Sequence, residues 1–336
     1  MSTYPIGKLP AADLARLLAR YTHSAPGLVV GPAVGQDAAV IDLGDRYLVV
    51  KTDPITFATA EIGWYAVNVN ANDIACTGAT PRWFLASLLL PDKSSTPALV
   101  EAIFAQIHAA CTDLAISLVG GHTEITYGLD RPLVIGHMLG EVAPAGLIST
   151  AGAQVGDDLI LTKGIAIEAT ALIASEKRSE LVDYFGIDKL DDYANILHQP
   201  GISVVRDAAV ATAIGGVHAM HDPTEGGVAT GLHELAEAAG VGLEIMAEEL
   251  PYLPETVALC QHFGLDPLGV IASGALLIAA DSRRSGSILA ALAEAGIKAS
   301  RIGRVLRPEQ GRQLVGPGGT RPLPTFGRDE ITRLFE

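Results

Sequence analysis

Asn68-Val69-Asn70-Ala71-Asn72-Asp73-Ile74 puts three asparagines and an aspartate into six consecutive positions of a segment that otherwise reads as helix. Asn and Asp are poor in helix interiors, because their short polar side chains compete for nearby backbone groups. Something other than helix stability selects them here. Asn68 and Asn72 lie one turn apart and Asp73 lies about 100° round from Asn72, which makes a polar edge beside an apolar face. The pattern runs from Ile62 to Thr77, and Gly78 followed by Pro81 supplies its stop.

Working outward, Ala38 to Ile41 and Tyr47 to Val50 are short apolar runs joined by Asp42 to Arg46, as in a hairpin, and Ala11 to Tyr21 has the spacing of one helical face. After the polar helix come a buried strand over Trp83 to Leu90, a helix over Pro97 to Cys111, and strands over Ala115 to Val119 and Leu133 to Val142. Small residues, a proline and glycines interrupt the pattern over Ala143 to Gly156, which puts a domain boundary near residue 150. Beyond it, helices are expected over Glu168 to Ser175, Ser203 to Ile214, Val228 to Ala239 and Ser285 to Ala295. Strands are expected near Asp158 to Thr162, Leu243 to Met246, Gly274 to Ala279 and Ala299 to Val305. Both halves, 1–150 and 151–336, are therefore α/β in character, of the α+β type with a mixed sheet. Val315 to Phe326, rich in Gly and Pro, reads as a surface arm.

With 336 residues, 49% of them hydrophobic and 36 of them glycine, the chain suits two domains with large cores and many tight turns. Its longest apolar runs, Trp83 to Leu90 and Gly269 to Ala280, fall short of the roughly 18 residues a membrane span needs, and Met1 to Leu9 has no secretory pattern. A cytoplasmic protein with no membrane role is expected. A net charge of −15 argues against nucleic acid as a partner, since phosphate backbones call for clustered Lys and Arg. Cys76, Cys111 and Cys260 are too far apart in sequence for a paired metal motif and read as buried thiols.

Polar chemistry also interrupts the apolar pattern elsewhere. In Gly35-Gln36-Asp37-Ala38-Ala39-Val40-Ile41 an acidic residue follows a turn and precedes a strand, and in Lys51-Thr52-Asp53-Pro54 another ends one. Read alone, Asp37 is an ordinary turn residue and Asp53 a solvated strand end. Gly120-Gly121-His122-Thr123-Glu124 and His221-Asp222-Pro223-Thr224-Glu225-Gly226-Gly227 read as glycine-rich turns, the second before a helix. Such turns let backbone approach a ligand and aim helix N–H groups at an anion, though a tight turn alone explains them equally well. Carboxylates on separate strand and helix ends are the hard oxygen ligands that Mg²⁺ takes, one or two per ion.

Taken in order, these segments resemble the aminoimidazole ribonucleotide synthetase (PurM-like) superfamily, which includes thiamine-monophosphate kinase, selenophosphate synthetase and HypE. The resemblance rests on G-[DQ]-D-A-A-V at Gly35 to Val40, Asp53, the N-x-x-N-D helix with its G-A-x-P exit at Pro81, and G-G-H-T-E at Gly120 to Glu124. L-T-K-G at Leu161 to Gly164 and D-P-T-x-G-G at Asp222 to Gly227 complete it. It implies a two-domain fold whose N-terminal domains pair into a β-barrel across the axis of a homodimer, with ATP in the cleft between domains. It implies that Asp37, Asp53 and Asp73 hold Mg²⁺ on the triphosphate, with Asp222 and Glu225 as further metal ligands. Asn72, Gly120, Gly121, Thr224, Gly226 and Gly227 would contact the nucleotide. His122 and Glu124 would face the reacting end, and Lys163 would supply charge to phosphate. Members of the superfamily transfer or cleave a phosphoryl group, work that depends on positioning and charge neutralisation.

G-G-H-T-E and D-P-T-x-G-G favour the HypE-like, hydrogenase-maturation branch over the thiamine kinase, which has G-G-D-T and D-x-S-D-G there. HypE proper ends in P-R-I-C, and its terminal cysteine carries a carbamoyl group that is dehydrated. This sequence ends Thr332-Arg333-Leu334-Phe335-Glu336. A thiocarboxamide route cannot run on an absent cysteine, so the acceptor is expected to be a small molecule or a group borne by a partner protein. Gln36 in place of a common acidic residue, and Ile165 to Glu168 in place of G-D-H-G, are further departures. The leading expectation is a Mg-ATP-dependent phosphotransferase or dehydratase. A non-catalytic nucleotide-binding regulatory subunit and a small-molecule kinase are the alternatives.

Overall fold

Apolar alternation builds the first sheet in the computed structural model, which describes residues 4, 7, 9–33, 35–36, 38–55 and 60–335. The chain divides into two units, one of Gly27–Val30 with Asp37–Leu147, the other of Ile148–Glu336 with Met1–Pro26 and Gly31–Gln36.

The first unit holds β1 (Leu28–Val30), β2 (Ala39–Asp42), β3 (Tyr47–Ile55), β4 (Thr80–Pro91), β5 (Ser117–Thr126) and β6 (Leu133–Val142), in the order β1-β2-β3-β6-β4-β5. All neighbours are antiparallel except β4 and β5. The expected hairpin is present, with Ala39 opposite Val50. Along β4 and β6, Phe84, Ala86, Leu88, Leu90, Val134 and Met138 are buried, while the intervening Trp83, Leu85, Leu89, Ile135 and Leu139 are half-buried. The run Trp83 to Leu90, expected as a buried strand, has a covered face and a partly open one. Side chains alternate across a pleated sheet, so an unbroken apolar run conceals which face is covered.

Two helices, α2 (Ile62–Cys76) and α3 (Pro97–Asp113), belong to this unit. Nearly every residue of α2 is buried, including Asn68, Asn70, Asn72 and Asp73. It sits close to its neighbours because glycines make room. A Cβ at Gly63 would meet the Ile103 carbonyl oxygen at 2.6 Å, one at Gly136 would meet Asn70 Nδ2 at 2.2 Å, and one at Gly140 would meet Ile74 Cγ2 at 2.4 Å.

The second unit carries β7 (Asp158–Thr162), β8 (Val217–His221), β9 (Gly242–Met246), β10 (Leu277–Ala280), β11 (Ala299–Leu306), β12 (Arg312–Gly316) and β13 (Gly319–Pro322). Their order is β13-β12-β9-β11-β7-β10-β8. Only β9 and β12 run parallel. β7 and β10 are buried along their whole length, as strands covered on both faces should be. With α1 (Ala11–Tyr21), the helices of this unit are α4 (Ile167–Glu176), α5 (Arg178–Phe185), α6 (Ile187–Asn195), α7 (Val205–Ile214), α8 (Gly227–Ala239), α9 (Pro254–Phe263) and α10 (Ser285–Glu294).

Two expectations change. The Gly120–Glu124 segment is strand, not turn: β5 runs through it to Thr126, held by a parallel ladder to β4 in which Ala86 faces Gly121. Gly121 has φ +150°, and a Cβ there would meet the Ala86 carbonyl oxygen at 2.0 Å, so this glycine serves close strand approach. Val315 to Phe326 is not an arm. Its glycines make the β12–β13 hairpin, which extends the sheet, and Leu323 after it is buried. Helices α5, α6 and α9 and strand β8 had no counterpart in the sequence reading.

Candidate functional site

In the first unit, the end of β3 meets the middle of α2. Lys51 and Asp53 share a face of β3 by the two-residue strand period. Lys51 Nζ lies 3.2 Å from Asp73 Oδ2 and 3.6 Å from Asp53 Oδ2. The Asp73 side chain is only 6% exposed and that of Asp53 36%, so one carboxylate is enclosed and the other reaches solvent. Asn70 ties helix to strand, donating from Nδ2 to the Asp53 carbonyl at 3.2 Å and to the Ala66 carbonyl at 2.8 Å. Asn68 donates to the Trp64 carbonyl one turn back. The polar run therefore builds a scaffold around Asp73 within a helix buried almost all round. Asn72 is fully buried, and Asp37 lies outside the described residues.

His122 and Glu124 are elsewhere on the same sheet. They stand 3.4 Å apart on β5, both well exposed, at the edge of the order β3-β6-β4-β5. Three strand spacings, about 14 Å, separate β5 from β3. Registers place Asp53, Gly136, Ala86 and Gly121 in one row across the sheet. Within this unit Asp53 and Asp73 come together, whereas His122 and Glu124 do not join them. Gly120 and Gly121 lie beside His122 in a groove of about 400 Å³ that also includes Leu88, Phe104 and Leu118.

In the second unit, β8 ends at His221, and the segment Asp222–Gly227 leads into α8. Asp222 is buried. Gly226 and Gly227 take φ +79° and +70°, and neither has space for a side chain: a Cβ would meet Thr230 Oγ1 at 2.3 Å and the Leu268 carbonyl oxygen at 2.3 Å respectively. Two successive residues of this kind require glycine. Gly227 N and Ala272 N both donate to the Thr224 carbonyl. The Gly226 N–H, which the sequence reading offered to a ligand, donates to Asp329 Oδ2 at 2.7 Å.

Carboxylates gather behind this turn. Glu168 on α4 is buried, and loss of water pushes its carboxyl up to about 7, partly offset by hydrogen bonding to Ser273, with Asp329 and Glu225 adding negative potential. Burial likewise pushes Asp329 up to about 6, against the hydrogen bonds it accepts from the Gly226, Ile331 and Ile271 backbone.

Lys163 follows β7 with φ +57°. Its ammonium donates to the Gly201 and Ser203 carbonyls and lies 3.6 Å from Asp207 Oδ1, in a buried setting that pulls its pKa down despite Asp207. Expected as a source of charge for phosphate, it is engaged within its own unit. Lys51, Glu168, Asp207 and Asp329 are not among the site residues expected from sequence. Strand alternation carried a signal for Lys51 alone; the others are buried charges whose partners lie far along the chain.

Among the described residues no three His, Cys, Asp or Glu side chains stand close enough to form a metal cage, and no helix is long and apolar enough to cross a membrane. An ion held mainly by phosphate needs only one or two carboxylates, and Asp53 and Asp73, already sharing a cation, have the right donor chemistry.

Residues 35–142 match the AIR synthase related protein N-terminal domain, and residues 154–314 the corresponding C-terminal domain. The carbamoyl dehydratase HypE of Cupriavidus necator is 30% identical over 312 residues, covering 89% of this chain and 85% of that protein. The crystal structure of Escherichia coli HypE, a hydrogenase maturation protein, superposes with a TM-score of 0.75 at 24% identity, covering 96% of this chain and 98% of that one. HypE in complex with ATP superposes with a TM-score of 0.74 at 22% identity, covering 94% and 91%. The chain belongs to the AIR synthase related family, carrying both of its domains in order, and within that family it is a homologue of HypE.

Proposed function

We propose that this protein is a Mg-ATP-dependent enzyme related to HypE that activates an amide or acid oxygen of its acceptor by phosphoryl transfer. The observation that carries the reading is the Lys51 ammonium set between Asp53 and Asp73, one of them enclosed and the other open to solvent. Asp53 and Asp73 would hold Mg²⁺, which would neutralise charge on the triphosphate. Asp37, Asp222 and Glu225 are further ligands on this reading. Asn70 keeps the strand end and helix in register, and Lys51 balances the carboxylates until the nucleotide arrives. The γ-phosphoryl leaves ADP as its bond to the acceptor oxygen forms, a transfer that asks for positioning rather than a protein nucleophile. His122 and Glu124, three strands away from Asp53, would contact a part of the acceptor remote from the transferred phosphoryl group, and Asn72, Gly120, Gly121, Thr224 and Gly227 would border the nucleotide.

Cys76, Cys111 and Cys260 are all buried, and burial pushes Cys111 up to about 11 and Cys260 up to about 12. None of these three suits a carrier of the group that is dehydrated.

The protein acts as a homodimer in this reading. β5 is an edge strand exposed over nine of its ten residues, with Leu118, Val119 and Ile125 bare, and the adjoining sheet face carries half-buried Trp83, Leu85 and Leu89. A long exposed edge invites a second strand, and a second copy closing the two sheets into a barrel would cover both features.

Calorimetric titration of ATP with and without Mg²⁺, on the wild type and Asp73→Asn, with ADP release followed in the same samples, tests the central claim. Mg²⁺-dependent binding, weakened at least about tenfold in the variant, with ADP appearing, is expected. Binding without ADP under any acceptor would leave a regulatory subunit. Absence of binding would end the reading.

A further inference from the structure

Residues 323–335 fold back across the second unit and pass the glycine turn at Asp329. Leu323 N donates to the Arg312 carbonyl, and His233 Nε2 lies 3.0 Å from the Pro324 carbonyl oxygen. The Phe326 ring occupies the space above Gly269, where a Cβ would meet it at 2.7 Å. Glu330 N donates to the Gly269 carbonyl, Arg333 Nη1 to the Gly264 carbonyl, and Ile331 is fully buried. The segment is thus strapped over the loop 264–271, which itself grips the start of α8: Ala229 N donates to the Leu268 carbonyl, whose oxygen bars any side chain from Gly227.

At the crossing, the Asp329 carboxylate accepts from the backbone N–H groups of Gly226, Ile331 and Ile271. Oδ1 accepts from Ile331 N at 2.9 Å and so caps the short helical turn of residues 330–334; Oδ2 accepts from Gly226 N at 2.7 Å. The second bond joins residues 103 apart in sequence and is buried. Gly226 is the first of the two left-handed residues, so the atom held by Asp329 is the pivot of the turn. A buried, charge-assisted bond to a backbone N–H is among the stronger single contacts available to a loop.

We propose that Asp329 is a positioning residue for the Asp222–Gly227 segment, its carboxylate fixing the Gly226 N–H and with it the orientation that the turn presents to a ligand. The ligand part of this inference rests on the nucleotide reading above; the positioning part does not. The bond to Ile331 uses Oδ1 and the bond to Gly226 uses Oδ2, so these two bonds are separable by substitution. In Asp329→Asn the carboxamide oxygen can keep the Ile331 cap, while the amide group, a donor, cannot accept from Gly226.

Hydrogen exchange of the full-length, nucleotide-free protein tests it, read over residues 222–230 and 328–335 in the wild type, Asp329→Asn and Arg333→Ala. Asp329→Asn should speed exchange over 222–230 about tenfold, the order expected for loss of one hydrogen bond to a charged group, and leave 328–335 as it was. Its KM for ATP should rise severalfold, with a smaller change in kcat. Arg333→Ala cuts another tie of the strap and should leave 222–230 unchanged. Asp329→Ser, which caps but is too short to reach Gly226, repeats the test should the Asn variant not fold. Unchanged exchange over 222–230 in Asp329→Asn, or an equal rise in Arg333→Ala, would overturn the proposal. Faster exchange in a protein whose wild type binds no ATP would sink the nucleotide reading and leave Asp329 as the residue that sets the turn.

Discussion

Lys51 Nζ lies 3.2 Å from Asp73 Oδ2, across the junction of β3 and α2, and the same ammonium lies 3.6 Å from Asp53 Oδ2. Removing it in Lys51→Met leaves an enclosed carboxylate without its cation. Urea denaturation in metal-free buffer should show a loss of about 1–3 kcal/mol, below the value for a fully buried pair because Lys51 is partly solvated. Millimolar Mg²⁺ should restore much of that loss in the variant and change the wild type little. Equal responses of the two proteins to Mg²⁺ would argue against Asp53 and Asp73 as its ligands.

Lys163 and Asp207 form a pair whose side chains are 5% and 4% exposed. Lys163→Met should lower unfolding free energy by about 3–5 kcal/mol, the usual cost of stranding a buried charge. Adding Asp207→Asn should recover a substantial part. A Lys163 variant with wild-type stability and impaired nucleotide binding would instead return this lysine to the phosphate role inferred from sequence.

Glu168 gives a pH signature. Its folded-state pKa, about 7, lies above the ordinary 4.5, so the folded protein holds this proton more tightly than the unfolded chain does. The resulting stabilisation is complete below about pH 4.5 and is lost as pH rises through 7, a swing of about 3 kcal/mol at most. Asp329, raised to about 6, contributes with the same sign. Glu168→Gln should therefore exceed the wild type in melting temperature at pH 8 and converge with it near pH 5. A constant difference across that range would refute the assignment.

The exposed edge of β5 predicts an association state. Val119→Lys places a charge on a strand where Val119 is 53% exposed. Light scattering coupled to size exclusion should report a dimer for the wild type and a shift of at least about tenfold in dissociation constant for the variant, the scale of burying one unpaired charge. A wild-type monomer at tens of micromolar would remove the homodimer from the reading.

The parts of the fold legible in the sequence were those with clear stops or turn signals, such as α2 with Gly78 and Pro81, or the hairpin from Ala39 to Val50. Helices α5 and α6 were not, because each is short and buries a single residue, Leu181 in one and Leu190 in the other. Glycine misled twice. At Gly121 it marks close strand approach and at Gly316 to Gly319 a hairpin, and a sequence does not say which steric demand a glycine answers. For the site, Asp73 stood out as a polar residue in a helix and Asp53 entered only through the family resemblance, while their shared partner Lys51 and the tie from Asp329 to Gly226 are properties of the folded chain.

Gly63, Gly136 and Gly140 contribute no functional group, yet they set how near α2 can come to α3 and to β6, and so how far Asp73 stands from the end of β3. In a saturation scan of this protein, the steepest intolerance around the carboxylates should fall on such silent positions, where even alanine is too large. A scan ranked only by chemical reactivity would pass them by.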